Sequence, residues 1–148
     1  MPKAIDLSDV SACTCLKIRR IARRLTQTYD RALKPVELTV NQFGLLAKLY
    51  GASKGGSIGV PLGAFAARVG MHPTTLNRDL KALKTRKLIT AAVTDDKRVR
   101  AVTITPQGAA RLRAAIPHWR KAQRALERAL GKDARALDRL LDVAVEKI

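Results

Sequence analysis

The run Pro73-Thr74-Thr75-Leu76-Asn77-Arg78-Asp79-Leu80-Lys81 carries the side-chain types that hydrogen-bond to the edges of base pairs. The arginine fork of Arg78 matches O6 and N7 of guanine, and the amide of Asn77 matches N6 and N7 of adenine. Thr74 and Thr75 suit a phosphate or a thymine methyl, and Lys81 suits a phosphate. A second basic group, Lys97, Arg98 and Arg100, follows Asp95-Asp96 in a short charged stretch. An arginine such as Arg98 at the tip of a turn fits a narrow minor groove, where the potential is most negative. Both groups are needed at once for docking on duplex DNA, so together they outweigh the bland reading of solvated charge.

Other chemistry is poorly supported. His72 and His118 are the only histidines, and neither stands in a catalytic spacing with a serine or carboxylate. There is no GxGxxG and no phosphate loop. Cys13-x-Cys15 lacks the two further ligands that a zinc site requires. No enzyme activity, metal or cofactor is therefore expected.

The elements that must hold these groups can be placed by periodicity. Residues 8–34 read as one long helix, with Ile18, Ile21, Ala22, Leu25, Tyr29, Ala32 and Leu33 on one stripe and Arg19, Arg20, Arg23 and Arg24 mostly off it. Pro35 ends it. Thr39-Val40-Asn41-Gln42 is a capping box opening a second helix, with Val40, Phe43, Leu46, Leu49 and Tyr50 inward. Residues 51–59, with four glycines and two serines, read as a loop. Pro61 stands where the first residue of a third helix should be, and its inner face is Leu62, Phe65, Ala66 and Val69.

Gly70-Met71-His72 breaks the chain before Pro73 opens the base-reading helix, whose inner stripe is Leu76, Leu80 and Leu83. Two helices across so short a turn are a helix-turn-helix signal, and His72 is placed to cap the second. Leu88–Val93 and Ala101–Thr105 are β-prone runs around the charged turn, predicting a two-stranded hairpin. Thr105-Pro106 then opens a helix that Pro117 should kink and Gly131 should close, and a last helix carries Leu137, Leu140, Leu141, Ala144 and Ile148.

Composition narrows the partner. The 148 residues hold 29 Lys and Arg against 12 Asp and Glu, a formal charge of +17 that favours a polyanion. Segments 1–34, 73–100 and 101–130 each carry a net +5, whereas 131–148 carry four charges of each sign. Only 3% of residues are aromatic, so the core must be Leu, Ala, Val and Ile. No apolar run approaches the ~20 residues that span a bilayer. Met1-Pro2-Lys3-Ala4-Ile5-Asp6 has no apolar region of a secretory signal. Together with two closely spaced cysteines, this points to a reducing cytoplasm.

The order of elements and several local details resemble the MarR-type winged-helix repressors. Asp96-Lys97-Arg98, followed by Ile104-Thr105-Pro106-Gln107-Gly108, looks like their wing signature of Asp-x-Arg and then Leu-Thr-x-x-Gly. Thr74–Leu80 resembles their recognition helix, residues 39–50 their second helix and Cys15–Leu33 their first. The likeness covers residues 10–148, with His72-Pro73 in place of the usual Ser-x and Lys87 in place of a common Gly. It implies a mainly α fold with a small β-hairpin wing. Residues 36–105 would form a winged helix-turn-helix DNA-binding region, and 8–35 with 106–148 a helical dimerisation region. A homodimer would set two recognition helices one DNA turn apart, about 34–36 Å, on a pseudo-palindromic operator.

The same resemblance suggests two switches. Cys15, with Cys13 beside it, stands where an organic-hydroperoxide-sensing branch holds its reactive cysteine, and Tyr29 matches a tyrosine of that branch. Arg19 and Val40 stand where two other tyrosines of that site would be. The competing reading is that both cysteines are small interface residues. The other switch is a small anionic or phenolic effector, with Arg19 or Arg23 pairing its carboxylate. A sequence-indifferent architectural nucleic-acid binder is the rival to a repressor, and a membrane-surface protein ranks below both because the basic helices lack apolar anchors.

Overall fold

The computed structural model describes residues 1, 4–56 and 59–148. Six α-helices and three short strands follow the order α1 (Thr14–Leu33), α2 (Val40–Lys54), β1 (Val60–Pro61), α3 (Leu62–Val69), α4 (Pro73–Thr85), β2 (Ile89–Ala92), β3 (Ala101–Ile104), α5 (Pro106–Leu130) and α6 (Ala134–Lys147). Among the described residues no helix is long and apolar enough to cross a membrane.

The expected first helix is divided. Val10–Ala12 form a single 3₁₀ turn, and Cys13 is extended (φ −57°, ψ 112°), so the long helix starts only at Thr14. Its far end falls at Pro35, which has no N–H to donate to the carbonyl one turn back, and a 3₁₀ turn at Lys34–Val36 follows. The capping box at Thr39 forms as expected. The Thr39 hydroxyl accepts from the Gln42 amide N–H at 3.1 Å, and the Gln42 side chain accepts from the Thr39 N–H at 3.2 Å. Asp30 of α1 adds a third cap, accepting from the Val40 N–H at 2.7 Å, where its charge also suits the positive end of α2.

Three expectations of the middle region are corrected. The loop placed at 51–59 begins later, because α2 continues through Gly51-Ala52-Ser53-Lys54; Ser57 and Ile58 lie outside the described residues. Neither glycine nor serine is excluded from a last helical turn, where their modest cost is met by the Gly55 N–H bonding the Gly51 carbonyl. Pro61 is the cap preceding α3 (φ −60°, ψ 131°) and not its first residue. It lies in β1, which adds a third strand to the expected hairpin, giving the antiparallel order β1-β3-β2 with Val60 opposite Val102 and Ile89 opposite Ile104. Proline is tolerated there because β1 is an edge strand.

The core gathers Leu33, Leu38, Leu45, Leu46, Leu49, Phe65, Leu76, Leu80, Leu83 and Ile89 beneath the sheet and α5. Leu45, Leu46 and Leu49 are the buried residues of α2, while Val40, Phe43 and Tyr50 are only half-buried. The stripe on α1 is buried only at Tyr29 and Leu33 within this chain, and no residue of α6 is buried. Helix α5 continues unbroken through Pro117 for 25 residues, although the proline cannot donate to the carbonyl one turn back.

Candidate nucleic-acid interface

Helix α4 is opened by His72, whose Nδ1 accepts from the Thr74 N–H at 3.2 Å, with Pro73 at its first turn. A ring nitrogen thus does the work of the usual serine hydroxyl. The other end is closed by Lys87, which adopts the left-handed conformation (φ +58°) that glycine would take more easily. That turn lets the Leu88 N–H bond back to the Leu83 carbonyl at 3.0 Å, satisfying one of the orphan acceptors of the helix end. With Leu76, Leu80 and Leu83 packed inward, Thr74, Asn77, Arg78 and Lys81 are exposed and Thr75 is half-buried.

The wing tip is organised by Asp96. Its carboxylate accepts from the Arg98 N–H at 3.0 Å and lies 3.4 Å from the Arg98 Nε, and the Val99 N–H bonds the Asp96 carbonyl. The Thr94 hydroxyl donates across the same turn to that carbonyl. The Asp-x-Arg spacing therefore shapes the turn first and presents a cation second. The side chain of Arg98 is 93% exposed, so this ion pair is a weak restraint on it. Lys97 and Arg100 are exposed on the same tip.

Thr105 and Gly108 fix the wing to the rest of the molecule. The Thr105 hydroxyl donates to the Lys87 carbonyl at 2.7 Å and accepts from the Gly108 N–H at 3.0 Å, while the Thr105 N–H bonds the Leu88 carbonyl. A Cβ built on Gly108 would stand 2.0 Å from the Leu88 carbonyl oxygen. Only glycine allows α5 to approach β2 this closely. The Thr-x-x-Gly pattern is thus a joint between the end of the reading helix, the wing and α5.

One polar residue of α4 escaped the sequence reading. Asp79 is buried, 7% exposed, on the same inner face as Leu76 and Leu83. Its spacing of three and four residues from those leucines is the signal that could have found it. Burial pushes its carboxyl up; Arg78 and a hydrogen bond from the Gln42 side chain pull the other way, and Asp30 adds a little repulsion. Asp30, the start of α2 and the reading helix therefore share one polar seam. A second unread joint lies at Glu37, which is left-handed (φ +56°). Arg86 donates to its carbonyl at 2.7 Å, and Arg111 donates to the Val36 carbonyl at 2.8 Å and to the Glu37 carboxylate at 3.3 Å.

The proposed switch residues are less tightly grouped. Cys13 is half-buried and Cys15 exposed, and both are free thiols. Tyr29 lies fourteen residues further along α1, about 21 Å by helical rise, so one chain does not bring it to Cys15. Its hydroxyl donates instead to Gln123 of α5, and burial together with Glu127 pushes the phenol up. A groove of about 610 Å³ lies between α1, α5 and α6, lined by Leu25, Leu126, Leu130, Leu137 and Leu141 with Arg135 at its edge. Arg19 and Arg23 are exposed on α1 and do not line it. Among the described residues no cluster of His, Cys, Asp and Glu could hold a metal ion.

No family model and no curated protein matches the sequence. Solved structures do. The transcriptional regulator MosR of M. tuberculosis, in complex with DNA, is 33% identical, aligns over 90% of this chain and 96% of its own, and superposes with a TM-score of 0.75. The transcriptional repressor CouR bound to p-coumaroyl-CoA is 22% identical over 98% of this chain and all of its own, with a TM-score of 0.81. MarR of E. coli in its apo form is 20% identical over 96% and 98%, with a TM-score of 0.69. The last two share the fold; MosR shares a third of its residues over nearly its full length. The chain belongs to the MarR family of transcriptional regulators.

Proposed function

We propose that this protein is a DNA-binding transcriptional regulator, acting as a homodimeric repressor on a pseudo-palindromic operator. One observation carries the reading: Asn77, Arg78 and Lys81 on α4 and Lys97, Arg98 and Arg100 on the wing are all exposed, and a single rigid joint at Thr105–Gly108 links the two elements. A helix in the major groove and an arginine in the adjacent minor groove are then presented as one unit. The DNA complex of MosR supports the same use of the fold. Thr74 and Thr75 contact backbone or a thymine methyl, Asn77 and Arg78 read bases, and Arg98 enters the minor groove. Residues 36–105 form the reader; 8–35 and 106–148 form the dimerisation region. The protein works in the cytoplasm and carries no catalysis of its own.

Relief by a small anionic ligand gains no site from Arg19 and Arg23, which stand outside the groove between α1, α5 and α6, and Glu127, Asp138 and Leu141 in that groove suit a second copy better. Relief through Cys15 and Cys13 would require Tyr29 to come from the second protomer. The reading is tested by selecting bound fragments from the source genome and competing them against random duplex at fixed salt. A repressor shows a preference of roughly 10³-fold or more. Equal competition would make it an architectural binder. Arg98→Ala should weaken operator binding by more than about tenfold at moderate salt, with the thermal midpoint nearly unchanged.

A further inference from the structure

Helix α5 carries six basic residues and one acid, Glu127. Arg111 faces inward and is held by Glu37. The other five, Arg113, Arg120, Lys121, Arg124 and Arg128, are all exposed. At 100° per residue they fall within one side of the helix, opposite the buried Gly108, Leu112, Ala115 and Ala122. Between them stand Ala110, Ala114 and Pro117, so the face is smooth and predominantly cationic, with the exposed Glu127 at its edge.

No internal partner neutralises this face. The ion pairs among the described residues are Arg98–Asp96 and Arg111–Glu37. Arg120, Arg124 and Arg128 repeat at four-residue spacing, where like charges oppose helix formation. The stripe also runs away from the reader. The first turn of α5 is pinned to Lys87 and Leu88 at the base of the wing, and Arg128 lies about 33 Å further along the helix axis.

We propose that the outer face of α5 is a second DNA-binding surface that holds the phosphate backbone of a duplex other than the segment read by α4 and the wing. Four of its five cations are arginines, whose forks pair with phosphate in two-point fashion. They extend over about 22 Å, a length in which B-DNA presents one negative charge per ~1.7 Å. A membrane is a poorer match, because the face has no apolar anchor and Trp119 is half-buried against Phe43. The α6 helix of a second copy is also a poorer match, since Arg135 and Arg139 alternate there with Asp138 and Asp142. The apolar side chains left exposed for a second copy are elsewhere, at Leu16, Ile18, Ile21, Leu140 and Leu141. A protein with both surfaces would bridge two duplexes.

The test uses the full chain with a random-sequence duplex, read by anisotropy across a salt series. Arg113→Gln, Arg120→Gln, Arg124→Gln and Arg128→Gln are combined in one variant, and Arg→Lys replaces the same four in a second. The glutamine variant should lower the slope of log affinity against log salt by roughly 3–4, while the lysine variant keeps it. In a two-colour capture, wild type on an immobilised duplex should retain a labelled second duplex, and the glutamine variant should lose it. An unchanged slope and undiminished capture overturn the proposal. So does dissociation of the glutamine variant into monomers, which would make the face an interface between copies, or tighter wild-type binding to anionic vesicles than to duplex. Because the duplex is random, absence of an operator would leave this result readable.

Discussion

The reader and the terminal helices treat their apolar residues in opposite ways. In the segment from Leu38 to Val102, Leu45, Leu46, Leu49, Phe65, Leu76, Leu83 and Ile89 are all at most 3% exposed. In the terminal segments, Leu16, Ile18 and Ile21 are about half exposed, as are Leu140 and Leu141, and α6 buries nothing. The same leucine-rich composition thus closes a core in one region and leaves a surface open in the other. An apolar face of this extent, on helices with regular stripes, marks an interaction site. The reader is completed by one chain, and on the proposed reading a second copy completes the termini.

That contrast can be broken first at the reader. Gly108→Ala should prevent normal docking of α5 on β2, because its Cβ meets a backbone oxygen and not a movable side chain. The loss should reach or exceed the ~1–3 kcal/mol typical of overpacking, seen as a large fall in thermal midpoint. An unshifted midpoint would show that the joint is loose. The second break is at the termini. Leu140→Glu with Leu141→Glu should give a monomer by light scattering with a folded reader. Operator affinity should fall ~100-fold or more, since two half-sites are no longer held together. A dimer that survives both charges would place the interface elsewhere.

Two smaller effects sharpen the comparison inside the reader. Asp79→Asn should stabilise the protein near neutral pH. The folded-state pKa of Asp79 is raised, so the protonated carboxyl is favoured by folding, and the charged form is a burden once pH rises through that pKa. The midpoint difference between variant and wild type should therefore be largest at neutral pH and close as pH falls through the carboxylate range. A difference that persists in acid would point to packing and not charge. Lys87→Gly should add up to about 1 kcal/mol by relieving the left-handed backbone, measured by urea unfolding.

The legible parts of this molecule are those written locally. Thr39-x-x-Gln42, Thr105-Pro106 and the Leu76–Leu80–Leu83 stripe each specify their own element, and all three form. The exposure of Thr74, Asn77, Arg78 and Lys81 follows directly from the last of them. What was hidden depends on contacts distant in sequence. Two residues, Val60–Pro61, are too short to show a strand period, and they pair only because β3 arrives forty residues later. Cys13 breaks the first helix without a proline or glycine to announce it. A carboxylate between Arg78 and Lys81 reads as surface charge, although the spacing of Asp79 puts it inside. The stripe at Ile18 and Ile21 stands exposed within the chain, so its spacing marks a face and not what covers it.

One contact gives the protein an optical property. Trp119 is its sole tryptophan, and the indole stacks on Phe43 with ring centroids 5.9 Å apart and planes 17° from parallel. Phe43 belongs to α2 and Trp119 to the middle of α5, so the pair straddles the boundary between reader and terminal helices. Any tilt of one body against the other changes the polarity and stacking around a single emitter. Its fluorescence wavelength and lifetime would therefore report such a tilt without a label, and a titration with duplex can be followed in the unmodified protein.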